Sequence, residues 1–137
     1  SLCLPIMNPA PAEQPFFEIL SDDVVLLTSA SSKVADIEVT ASMMAKQAEK
    51  GRFFVMVDFT GVTGGIDSYA REQSQRLFNS DWTRGCVYIN PSMPIRVALK
   101  VMNLALLLAG KSELPTEYVT SREEGLAAIQ RMRDAGA

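Results

Sequence analysis

The run Arg52-Phe53-Phe54-Val55-Met56-Val57-Asp58 constrains the fold more than any other part of the chain. Between its charged ends it shows no polar alternation, and its side chains favour extended backbone. A strand of this kind has to be covered on both faces, which places it at the centre of a sheet flanked by helices.

The neighbouring segments fit that frame. Two short apolar runs, Phe16 to Leu20 and Val24 to Thr28, are separated by Ser21-Asp22-Asp23 and predict a β-hairpin. Lys33 to Lys50 carries Val34, Ile37, Ala41, Met44, Ala45 and Ala48 at spacings that put them on one helical face, and Gly51 ends that helix. A further helix is expected over Asp67 to Asn79, then a strand over Gly85 to Ile89 that Asn90-Pro91 breaks. Ser92 to Gly110 reads as a long helix with Pro94 in its first turn. Tyr118 to Thr120 reads as an edge strand, and Ser121 to Ala135 as a last helix with a capping box at Ser121 and Glu124. The alternation predicts an α/β domain with a mixed sheet of about five strands, opening with an antiparallel hairpin and otherwise mostly parallel, covered by four helices. Four of the seven prolines fall within residues 1–15, which read as an extended arm preceding one domain over 16–137.

Composition narrows the function. A formal charge of -3 gives no electrostatic footprint for nucleic acid. Histidine is absent, which excludes Ser-His and Cys-His catalysis and removes the commonest metal ligand. The two cysteines, Cys3 and Cys86, form neither a disulfide framework nor a metal cluster, so a reducing, cytoplasmic setting is expected without metal or cofactor. No signal peptide is visible, and the apolar part of the long helix is too short to span a membrane, which takes about 20 residues. The adjacent carboxylates Asp22-Asp23 and Glu123-Glu124 form no acid-base pair, and no catalytic residue is assigned.

The stretch VDFTGVTGGIDSYARE, Val57 to Glu72, concentrates the candidate functional residues. Gly61, Gly64 and Gly65 do not reproduce GxGxxG, and no lysine follows as in GxxxxGK[ST], so a structural turn or a switch is favoured over a nucleotide site. Asp58 ends the central strand, where it could meet a ligand or satisfy the loop amides around Thr60 and Gly61. Asp67 and Ser68 read as a shared helix cap.

Asp58-Phe59-Thr60-Gly61-Val62, followed by Asp67-Ser68 at a helix entrance, resembles the signature of the anti-sigma-factor antagonist (STAS) family, Asp-Leu-Ser, a short loop, then Asp-Ser-Ser-Gly. The chain is more closely similar to the SpoIIAA-like branch of bacterial STAS proteins, grouped with the CRAL-TRIO lipid-binding fold. The likeness covers about Phe16 to Ala135, including the strand-Arg-helix segment Val87 to Leu108. It implies a non-enzymatic regulatory module that binds a protein partner, an anti-sigma-like kinase or other regulator, through Asp58, Thr60, Thr63, Gly64, Gly65, Asp67, Ser68 and Tyr69. It also implies phosphorylation control at Ser68, where a charge of about -1.5 to -2 would reshape the contact surface. Tyr69 and Ala70 stand where the family has its second serine and its glycine, and the loop before Asp67 is one residue longer.

The helix over Pro94 to Gly110 raises a second candidate surface. Arg96, Lys100, Asn103 and Leu107 form one stripe, and nearly every other position is apolar. Core burial, a homodimer or partner surface, and an apolar ligand cavity against the sheet all fit this pattern; Met43 and Met44 are placed to join such a surface. A lipid or other small apolar ligand between sheet and helix is the alternative function, and the CRAL-TRIO grouping agrees with it.

Overall fold

The structure is a computed structural model that describes residues 17–28, 34–62, 81–110 and 114–137. Strands β1 (Phe17–Ser21), β2 (Val24–Thr28), β3 (Phe53–Asp58), β4 (Thr83–Ile89) and β5 (Thr116–Val119) form one sheet in sequential order. β1 pairs antiparallel with β2, and the remaining neighbours are parallel. Three helices accompany them among the described residues, α1 (Val34–Ala48), α2 (Met93–Leu108) and α3 (Arg122–Asp134). The expected proline-rich arm and the expected helix over Asp67 to Asn79 lie outside the described residues.

The central run behaves as its composition requires. Phe53, Val55 and Val57 point to one face and join Met44 of α1 with Ile95, Leu99 and Met102 of α2 in a buried cluster. Phe54 and Met56 point to the other face and meet Ala128, Ile129 and Met132 of α3. β2 and β4 divide in the same way, with Val25, Leu27, Cys86 and Tyr88 on the first face and Val24, Leu26, Val87 and Ile89 on the second. Period-2 alternation with both faces covered leaves every one of these residues apolar.

Because the strands run in sequential order, the β2–α1–β3 and β4–α2–β5 crossovers place their helices on one face, as connections of a single hand must. The strand order does not reverse among the described strands. The crevice that a reversal opens in doubly wound sheets, the usual ligand site of such folds, is therefore missing from them.

Strand boundaries differ from expectation at β4 and β5. β4 begins at Thr83, two residues before the expected Gly85, and β5 occupies Thr116–Val119 instead of reaching Thr120. Arg84 lies inside β4, where its guanidinium sits 4.5 Å from the Phe54 ring centroid. The polar Thr83-Arg84 pair hid a strand start because Arg84 is held by partners distant in sequence.

At the amino ends of the parallel strands, Asp23 ties the structure together. Its carboxylate accepts from Arg133 Nη2 at 2.6 Å and Nε at 2.9 Å, and from Arg84 Nη1 at 3.2 Å. Arg84 also donates to the Ala137 carbonyl. The Arg133 hydrogen bonds hold the Asp23 carboxyl below its ordinary range against the opposing effect of burial, and the Arg84 charge adds to the lowering.

Candidate functional site

The carboxyl ends of β3, β4 and β5 form a rim on which several polar side chains converge. Asp58 ends β3; its Oδ1 accepts from the Thr60 amide at 2.9 Å, closing a local turn. Val62 N donates to Phe59 O at 2.9 Å, and Gly61 adopts φ 83°, a left-handed conformation that suits glycine. The chain leaving β3 is thus held in one shape through Val62.

Asp58 Oδ2 also lies 3.5 Å from Arg122 Nε, the first residue of α3. The Asp58 side chain is only 13% exposed, against 55% for Arg122. A cation in a first helical turn opposes the helix dipole, so Arg122 gains from a nearby carboxylate. Its placement against the dipole is the sequence signal that could have paired it with Asp58.

Asn90 joins the three strand ends. It takes φ 50°, a region asparagine tolerates better than most residues, and its Nδ2 donates to Thr60 Oγ1 at 3.0 Å and to Thr120 O at 3.1 Å. Its amide donates to Val119 O at 2.9 Å. Two helices begin beside it, α2 capped by Ser92 and α3 by Ser121. The expected capping box is present with a shift of one residue. Glu124 N donates to Ser121 Oγ at 3.1 Å, while the Glu124 carboxylate accepts from the Thr120 amide and hydroxyl. Those bonds lower the Glu124 pKa, the amide first.

Of the residues expected to contact a partner, Asp58 and Thr60 are on this rim; Thr63, Gly64, Gly65, Asp67, Ser68 and Tyr69 lie outside the described residues. Asn90, Thr120 and Arg122 complete the rim and were not singled out by sequence. Asn90 was read only as a strand breaker, although asparagine is among the residues that best tolerate the left-handed backbone found there.

The second candidate surface divides differently from its sequence pattern. Arg96 is half-buried with its guanidinium 4.7 Å from the Tyr118 ring centroid, Asn103 is half-buried, and Lys100 and Leu107 are exposed. A separate row, Met93, Val97, Val101, Leu104 and Leu108, lies between 49% and 81% exposed. The inner row, Ile95, Ala98, Leu99 and Met102, is buried. Met44 is fully buried in the core of the α1 face, whereas Met43 is exposed.

Elsewhere, an open groove of about 420 Å³ runs along Pro115, Glu117, Met132 and Ala137, crossed by the Arg131–Glu117 ion pair at 2.7 Å. Glu117 and Arg131 neutralise each other there. No cluster of three metal-capable side chains occurs among the described residues, and none of their helices is long and apolar enough to cross a membrane. No family model matches the chain, and neither the curated proteins nor the solved structures include a significant match.

Proposed function

We propose that the chain is a non-enzymatic interaction module that works as anti-sigma-factor antagonists do. The loop leaving β3, from Asp58 to Tyr69, is the contact face for a regulatory protein, and phosphorylation of Ser68 by that partner or another kinase releases it. The observation that carries the reading is the chain of contacts that links Arg122 through Asp58, Thr60 and Asn90 to Thr120. Its polar groups satisfy one another in place of activating a nucleophile, and they fix the start of the loop, which lowers the entropy lost when a partner binds. The regulatory half rests on the resemblance to SpoIIAA-like STAS proteins and on the charge that phosphate would add.

Native mass spectrometry of the protein from the cells that express it, with phosphosite mapping, tests this. The expected result is a protein complex with unmodified Ser68 that is lost in Ser68→Asp. A retained apolar small molecule without a protein partner would replace the reading with ligand carriage, and complexes indifferent to Ser68→Asp would remove the switch.

A further inference from the structure

α2 has two apolar faces, and the sheet uses one. The outer row, Met93, Val97, Val101, Leu104 and Leu108, follows steps of four, four, three and four, one stripe of a helix about 24 Å long. Isolated exposed apolar residues need no explanation, but a continuous row does.

The borders of the row are unequal in charge. On one side stand Arg96 and Lys100, a turn apart; on the other is the exposed small residue Ala105. Met93–Leu108 contains no acidic residue, although the whole chain is acidic. Among the described residues neither cation has a carboxylate partner, and Arg96 Nε is buried without an acceptor. Tyr118 stacks under the Arg96 guanidinium and holds it at the edge of the sheet. The small Ala105 on the far border leaves room for another backbone to come close.

We infer that the outer face of α2 is a docking surface for an acidic amphipathic helix of a partner protein. The partner's apolar stripe covers Val97, Val101, Leu104 and Leu108, and its carboxylates meet Arg96 and Lys100 along one border. A second copy of α2 would bring no carboxylate to that border, because the helix contains none. The inference rests on the interaction-module reading only in taking the occupant to be a protein. Rim and helix are probed by different variants, so either can fail alone.

The test uses two fluorescein-labelled helical peptides of about 18 residues, long enough to hold a helix. Both carry a leucine stripe; one has glutamates along a border and the other lysines. Fluorescence anisotropy with the intact protein should show the glutamate peptide binding about 10-fold or more tightly, with the difference shrinking as salt rises. Lys100→Glu, at an exposed position, should erase the preference, and Leu104→Glu should abolish binding of both peptides. Circular dichroism melts of each variant verify folding. Equal affinities, a preference unchanged in Lys100→Glu, or no binding to the folded protein would overturn the inference. A dimer in sedimentation that Leu104→Glu dissociates would assign the face to a second copy and overturn it. Binding to phosphatidylserine vesicles that Leu104→Glu abolishes would assign it to a lipid surface, with the same consequence.

Discussion

The two ends of the sheet place an aspartate beside an arginine in opposite circumstances. At the amino end, Asp23 binds Arg84 and Arg133, both stacked near the Phe54 ring, and Arg133 sits in the last turn of α3, where the helix dipole favours a cation. At the carboxyl end, Asp58 meets Arg122 in the first turn of the same helix, where the dipole disfavours one, and most of that arginine faces solvent. The amino end is arranged for stability. The carboxyl end spends its polar groups on shaping a loop, and this contrast is what substitutions should expose.

The largest effect belongs to the amino end. Phe54→Ala removes a fully buried ring that touches the α3 core and supports both arginines, and should cost about 3–5 kcal/mol in urea unfolding. A loss below that of an ordinary exposed substitution would mean that the α3 face is not a packed core. Asp23→Asn should cost about 1–3 kcal/mol at neutral pH, since two arginines lose a charged acceptor at a site 27% exposed. The folded pKa of Asp23 is depressed below its ordinary value of 3.8. Its contribution is therefore complete above that value and fades as pH falls through the depressed folded value. Unfolding of the wild type and of Asp23→Asn should converge in acid, and parallel curves would refute the pairing.

The carboxyl end should respond less in stability and more in loop order. Asn90→Ala loses two bridging hydrogen bonds and places alanine at positive φ, which should cost about 1–2 kcal/mol and speed amide exchange at Thr60 and Val62. Asn90→Gly restores the backbone but not the bridge, so its exchange should stay fast while part of the stability returns. Arg122→Ala should cost under about 0.5 kcal/mol, as exposed ion pairs do. A cost equal to that of Asp23→Asn would erase the distinction between the ends. Smallest of all, Cys86 should resist thiol reagents in the folded protein, because burial raises its pKa to about 12; peptide mapping after labelling would reveal any modification.

Much of the architecture was legible because it follows from local pattern. Phe53 to Val57 announced a strand covered twice, and Ser121 with Glu124 announced the start of α3. The rim was only half legible: Asp58 and Thr60 are close in sequence, but Asn90, Thr120 and Arg122 reach them through the fold. The outer row of α2 was obscured for another reason. Val97, Val101, Leu104 and Leu108 share their spacing with the buried row, so periodicity alone could not say which apolar face the sheet would take.

The most direct measurement compares a photo-crosslinking amino acid at exposed Thr60, on the rim, with one at exposed Asp22, at the opposite end, in cells that express the protein. The account predicts a discrete protein adduct from position 60 that phosphomimetic Ser68→Asp suppresses, and none from position 22. Equal adducts from both ends, or none from position 60, would contradict it.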